Sequence, residues 1–203
     1  MTKVILVRHC QAEGNMKRFF QGRIDSEVTE QGRKQIGQVM ELLSTENIDA
    51  IYCSSLTRAK RTADGINMYH ELPIHIDDGL IEINAGDWEG KYLADIEKEY
   101  PEEYDNWCHN QKDFVAPNGE SMVQVYERVK NALTHIVKEN PNKTVCIVSH
   151  GCAIKNMMCF AHGWTLENID QVPLGTNVSV NVLEFDESMN CKIIIENYID
   201  HIR

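Results

Sequence analysis

Two short apolar runs in this sequence each end in a histidine. Lys3-Val4-Ile5-Leu6-Val7 leads into Arg8-His9, and Thr144-Val145-Cys146-Ile147-Val148 leads into Ser149-His150-Gly151. Both runs are β-branched and short, which predicts strands buried on both faces. Ligands of open α/β sheets bind outside the carboxyl ends of the strands, so both imidazoles are expected to face one site. A third run, Ala50-Ile51-Tyr52-Cys53, ends in Ser54-Ser55, with Arg58 roughly one helical turn further on. Arg8, Arg58, two imidazoles and a helix N-terminus make a donor set suited to a dianionic phosphate. A lone strand-end histidine is more often a packing residue. The pair, with arginines to match, is what carries the reading. A neutral imidazole can attack phosphorus in line, and either histidine could do so. His9 is followed by a polar loop, Gln11 to Glu27, whereas His150 opens a mostly apolar helix whose N-terminus favours a held anion over attack.

The elements that must hold these residues alternate. Thr29 is expected to cap a helix with Ile36, Val39, Met40 and Leu43 on its apolar face. Ser54 or Ser55 is expected to start the next helix, whose apolar face is Leu56, Ala59, Ala63 and Ile66. Ile74-His75-Ile76 reads as a short strand. Tyr92 to Cys108 reads as helical, with a new helix starting at Pro101. Ser121 and Gln124 form a capping box ahead of a long helix striped by Val125, Val129, Ala132, Leu133, Ile136 and Val137. After the Thr144 run, a helix to about Phe160 is followed by strands over Asn177 to Phe185 and Lys192 to Tyr198. This order predicts an α/β fold: a mixed, mostly parallel sheet with helices on both faces, a three-layer α/β/α sandwich in one domain over residues 1–203.

Composition narrows the partners. The chain has 203 residues and a formal net charge of -11. No basic stripe suggests nucleic acid, and acidity discourages anionic membranes. A pocket can still be locally positive on a negative protein. No run approaches a membrane span, and the N-terminus lacks the pattern of a signal peptide. Seven cysteines without a CxxC pair suit a reducing compartment, so a cytoplasmic location is expected.

Arg8-His9, Asn15 and Gln21-Gly22 together resemble the opening of the histidine phosphatase superfamily, also called the phosphoglycerate mutase-like family. Ser54-Ser55-Leu56-Thr57-Arg58-Ala59, with Thr62-Ala63, resembles its second motif. Leu80-Ile81-Glu82 with Gly86-Asp87-Trp88-Glu89-Gly90 is similar to its acid-bearing segment. Gly119-Glu120-Ser121, Ser149-His150-Gly151 and Asn177-Val178-Ser179-Val180 follow in family order, so the resemblance spans nearly the whole chain. It implies a metal-independent phosphomonoester hydrolase, without cofactor, that works through a phosphohistidine. His9 would be the nucleophile, and Arg8, Arg58 and His150 would bind the phosphoryl oxygens. Asn15, Gln21, Gly22 and Gly151 would add phosphate or substrate contacts. Glu82 would give a proton to the leaving oxygen; Glu89 and Glu13 compete for that role by position alone. The implied partners are a small phosphomonoester and inorganic phosphate, and self-association stays open.

Two positions depart from the family pattern. Cys10 stands where glycine usually follows the nucleophile, and Ala12 stands in place of a threonine. Cys10 is expected to be strained if its φ is positive, or to narrow the pocket if not. Beside a cationic pocket its thiol would be acidified. Cys10 and Cys152 with His9 and His150 could alternatively form a Cys2His2 metal site. A cofactor-dependent mutase and a non-catalytic phosphate-binding module are the other rivals. The segment between Gly90 and Pro117 is short for a mutase. It carries Tyr104, Trp107 and Phe114, expected to wall the leaving-group side, and Glu102, Glu103 and Asp105 near the mouth. Trp88 is read equally as core or wall. Candidate substrates are sugar phosphates, phosphorylated amino acids and α-ribazole phosphate.

Overall fold

A computed structural model describes residues 1–202. The elements run β1 (Thr2–Arg8), α1 (Glu13–Lys17), α2 (Glu30–Leu43), β2 (Ala50–Cys53), α3 (Thr57–Asn67) and β3 (Ile74–Ile76). There follow α4 (Leu93–Glu99), α5 (Pro101–His109), α6 (Met122–Glu139), β4 (Thr144–Ser149), α7 (Gly151–Ala161), β5 (Val180–Phe185) and β6 (Cys191–Tyr198), with short 3₁₀ turns between. The strands form one sheet in the order β3-β2-β4-β1-β5-β6. The first four are mutually parallel, and β5 runs antiparallel to both β1 and β6. Helices cover both faces, so the fold is the expected mixed, mostly parallel α/β/α sandwich.

The period of two in the strands sorts their side chains between the layers. Val4, Leu6, Val145, Ile147, Leu183 and Phe185 join the core under α6 and α7. Their neighbours Ile5, Val7, Cys146, Val148, Val180 and Val182 join the core under α2 and α3. Slipping β1 by one residue would exchange the two sets, so this double burial fixes where the strand ends and where His9 emerges. Caps fix the helices in turn. Thr29 Oγ1 accepts from the Gly32 amide at 3.0 Å, and Ser121 and Gln124 make the reciprocal capping box.

Several boundaries differ from the sequence expectation. α3 begins at Thr57 behind an extended Leu56, because the Ser54 hydroxyl is engaged elsewhere. The segment from Gln11 to Glu27 is not all loop, for it contains α1. β5 starts at Val180 rather than Asn177, since Val178 takes a positive φ of 56° and its amide turns back to the Arg8 carbonyl. Trp88 is wholly buried and is core. It meets Phe20, Tyr100, Tyr104, Trp107 and Phe114 in a cluster of rings with centroids 5.0–6.5 Å away. Among the described residues no helix is long and apolar enough to cross a membrane.

Candidate active site

The parallel pairing of β1 with β4 places Arg8 opposite Ser149. One residue further, the His9 amide donates to the Ser149 carbonyl at 2.9 Å. The two imidazoles therefore leave neighbouring strand ends, with ring centroids 5.0 Å apart. Beside them opens a cleft of about 340 Å³, lined by Arg8, His9, Arg58, Glu82, Asn15, Gln21, Gly22 and Gly151 among others. All the singled-out residues except His150 reach its surface. His150 is wholly buried next to His9.

The hydrogen bonds fix the state of His9. Its Nδ1 lies 2.6 Å from the Cys10 carbonyl, which can only accept, so Nδ1 carries the proton. Arg58 Nε donates to Nε2 at 3.3 Å, which requires a lone pair there. Burial, then the charges of Arg58 and Arg8, hold the His9 pKa well below the ordinary imidazole range. The ring is thus neutral, with Nε2 as its basic atom. Burial, Arg58, His9 and Arg8 push His150 the same way. Its Nε2 lies 2.7 Å from Ser54 Oγ, and that oxygen already accepts from the Leu56 amide at 3.3 Å. The Ser54 hydroxyl is the hydrogen-bond partner of His150 Nε2, and Nδ1 is buried without a partner among the described residues.

The cations are held by backbone. Arg58, 1% exposed, donates to the carbonyls of Ile24 and Gly22, each at 2.8 Å. Gly22 reaches that pose with a φ of +50°, and a Cβ there would strike the Glu89 carboxylate. Arg8 donates through Nη1 to the Gly175 carbonyl, while its buried Nε has no partner. Gly151 lets the Arg8 guanidinium approach α7, for a Cβ would lie 3.3 Å from Cζ and 3.0 Å from Leu174. Neither arginine makes a close ion pair among the described residues. Desolvation lowers both pKa values, and Glu82 opposes this most. Buried cations without a contacting anion favour binding one.

Glu82 is the single carboxylate among the lining residues. Oε1 accepts from the Ile83 amide at 2.9 Å and the Ala153 amide at 3.2 Å, and Oε2 from the Cys152 amide at 3.2 Å. The N-terminus of α7, expected to be open to a phosphate, is thus occupied by this side chain. The Glu82 carbonyl accepts from Arg23 Nε at 3.3 Å and lies 3.5 Å from Arg128 Nη2. Both arginines also bind Glu120, at 3.0–3.1 Å. Glu89 instead accepts from the Arg23 and Ala85 amides, and Glu13 pairs with Lys17. Asn15 Oδ1 accepts from the Ala12 amide at 3.0 Å, which leaves its NH2 as a donor. Gln21 Oε1 accepts from Ser26 Oγ.

Cys10 overturns its expectation. Its φ is not positive, and the side chain is buried in the core beneath α2 and α3, off the cleft surface. Burial raises its thiol pKa rather than lowering it. Cys10 therefore cannot join the Cys2His2 set, and among the described residues no cluster of three His, Cys, Asp or Glu is placed to hold a metal. Of the expected aromatic wall only Trp107 lines the cleft, since Tyr104 and Phe114 pack behind it on Trp88. Glu102, Glu103 and Asp105 do not line it. Arg18, Phe19, Phe20, Ile83, Leu93 and Leu174 do. The sequence reading missed them because, apart from Leu93 at the start of α4, they come from segments without periodicity. It missed Ser54 because a serine ahead of a helix reads as a cap.

The motif residues and this geometry meet a family description. The pattern of the histidine phosphatase superfamily (branch 1) matches residues 4–193. The chain belongs to that superfamily. Phosphoserine phosphatase 1 of Hydrogenobacter thermophilus is 34% identical over 190 residues, covering 94% of this chain and 90% of the relative. The adenosylcobalamin/alpha-ribazole phosphatase of Salmonella typhimurium is 32% identical over 145 residues, covering 71% of this chain and 72% of the relative. The structure of Bacillus stearothermophilus YhfR superposes over the full length of both chains with a TM-score of 0.95 and 30% identity. As a member of this superfamily, the chain is a phosphoric monoester hydrolase that acts through a catalytic histidine.

Proposed function

We propose that the protein hydrolyses a small phosphomonoester through a phosphohistidine on His9, with inorganic phosphate as the second product. The observation that carries this reading is the pairing of a buried basic Nε2 on His9 with two buried nitrogens that lack partners, Arg8 Nε and His150 Nδ1. In the first step His9 Nε2 attacks phosphorus and the ester P–O bond breaks. Glu82 delivers the proton that the departing alkoxide needs. Arg8, Arg58, His150 and the Asn15 amide hold the equatorial oxygens, where charge sits in the transition state. Gln21, Gly22 and Gly151 shape the surface around that group. In the second step Glu82 takes a proton from water, the water oxygen attacks the phosphohistidine, and phosphate leaves with His9 restored. Because His9 and His150 are hydrogen-bonded on their far sides, both rings are set before substrate arrives.

Seven unpaired cysteines and strong acidity fit a protein of the cytoplasm that binds neither nucleic acid nor membrane. Phosphate release from a panel of monoesters, measured with chelator throughout, tests the reading. Full turnover is expected. Activity that disappears in chelator and returns with a divalent ion would overturn it.

A further inference from the structure

The proposed reaction uses Arg8, His9, Arg58 and Glu82, and leaves other lining residues of the cleft unexplained. Among these, Phe19, Phe20, Ile83, Leu93, Trp107 and Leu174 give it an apolar wall. This surface is tied down. Phe19 bridges Tyr92 in antiparallel fashion, and Phe20 exchanges backbone hydrogen bonds with Gly90 and Lys91, each 2.9 Å. The Phe20 ring meets Trp107 edge-on at 5.1 Å. A wall of this kind suits a bulky apolar leaving group.

One charge interrupts it. Arg18 lines the same cleft, is exposed, and has no hydrogen bond or ion pair among the described residues. It also ends α1 in the left-handed region, with φ 60° and ψ 37°, where glycine or asparagine would be easier. Backbone strain of this sort tends to collect at ligand-binding positions. Glu82, the only lining carboxylate, is bonded to amides at the floor. Besides the arginines of the proposed reaction, the cleft lining therefore presents one free guanidinium and, beyond Glu82, no carboxylate to receive a cation, on a chain whose net charge is -11.

We propose that Arg18 is a specificity-determining residue that reads a carboxylate on the far side of a bulky apolar leaving group. The proposal rests on the phosphatase reading and names the substrate class for it. A planar guanidinium matches a carboxylate in two parallel hydrogen bonds. An ammonium in the same place meets only repulsion, so an aminated substrate gains nothing from this wall.

Three esters with the same reacting bond test this: benzyl, 4-carboxybenzyl and 4-(aminomethyl)benzyl phosphate. At low salt the carboxylated ester is expected to exceed benzyl phosphate in kcat/KM by about 5-fold, the scale of one exposed ion pair, and the aminated ester to fall below it by a similar factor. The difference should lie in KM. Arg18→Gln should bring the three together and leave benzyl phosphate within about 2-fold of the wild type, because the pair, not the wall, has been removed. Arg18→Glu should invert the order. Arg18→Gly, which suits the left-handed backbone, should behave like Arg18→Gln, and Arg18→Lys should keep most of the preference. This separates charge from backbone relief. An unchanged ratio in Arg18→Gln would overturn the assignment while leaving the phosphatase reading intact. No hydrolysis of any of the three esters by any form would overturn the assignment, and the phosphatase reading falls only if the wider panel of monoesters also fails.

Discussion

His9 and His150 are 2% and 0% exposed and leave the ends of two paired strands, whereas Leu93 and Leu174, which line the cleft beside them, are 39% and 54% exposed. The first pair is fixed by sheet register and by hydrogen bonds to Cys10 and Ser54. The second pair comes from the first residue of a short helix and from an irregular segment after a 3₁₀ turn. In-line attack needs atoms held to a fraction of an ångström, and only the sheet ends offer that. A leaving group needs shape and one or two polar contacts, which short helices and aromatic stacking can supply. On the proposed mechanism, reaction and selection draw on different parts of the fold, so substitutions in one set should be separable from those in the other.

The sharpest separation is expected at Glu82. Glu82→Gln keeps an oxygen for the Ala153 and Ile83 amides but has no proton to give. kcat/KM for an alkyl phosphate, which reports only the phosphorylation step, should fall by about 10²–10³-fold, while kcat/KM for p-nitrophenyl phosphate, whose leaving group needs no proton, should lose under about 10-fold. Equal losses in kcat/KM would mean that Glu82 holds structure rather than the proton.

Ser54 tests how far the rigid side extends. Ser54→Ala removes the one hydrogen-bond partner of the His150 ring among the described residues and should lower kcat by about 10- to 100-fold, with KM less affected, by analogy with outer partners of ligating histidines. Ser54→Thr should recover most of it. Nitrogen NMR of His150 should show the proton on Nδ1 in the wild type and a mixture of tautomers in Ser54→Ala. An unchanged tautomer would remove Ser54 from the account.

On the other side, Trp107→Ala should raise KM for benzyl phosphate about 10-fold, the value of lost apolar contact in a pocket, and leave ethyl phosphate nearly unchanged. A comparable loss on both esters would show that the ring stack around Trp88 transmits to the floor and that the two regions are not independent.

The smallest effect is on stability. Because the folded pKa values of His9 and His150 are depressed, the unfolded chain binds more protons once pH falls below the ordinary imidazole value. Their contribution is fully present above that value and is lost as pH falls toward the folded pKa values. In phosphate-free buffer the melting temperature should drop by a few degrees between about pH 7 and pH 5, in proportion to the protons taken up. His9→Asn should reduce the drop. A flat profile would mean that the buried rings titrate as in the unfolded chain.

How much of this could be read from the sequence follows the same division. Apolar runs that stop at Arg8-His9 and Ser149-His150 make the floor legible, because burial on both faces leaves few alternatives for where a strand ends. That β1 and β4 are neighbours is a long-range pairing with no local signature. Cys10 was unreadable for a related reason: which way the chain turns after a strand decides whether a side chain faces cleft or core. Glu82 was legible through its motif, but the Arg23–Glu120–Arg128 cluster that steadies its peptide joins three separate segments. The wall residues Arg18, Phe19, Phe20 and Leu93 come together through the backbone bridge between Phe19 and Tyr92 and the Phe20 hydrogen bonds to Gly90 and Lys91, which have no local signature.

The central claim is that His9 carries the phosphoryl group. Rapid quench without acid, using a labelled phosphomonoester, should trap one phosphoryl group per chain, stable in alkali and lost in acid, and peptide mapping should place it on His9. His9→Ala should abolish both label and turnover, with a loss of about 10⁴-fold or more expected for a nucleophile, whereas His150→Ala should still label slowly. Label on His150, or turnover retained in His9→Ala, would contradict the mechanism.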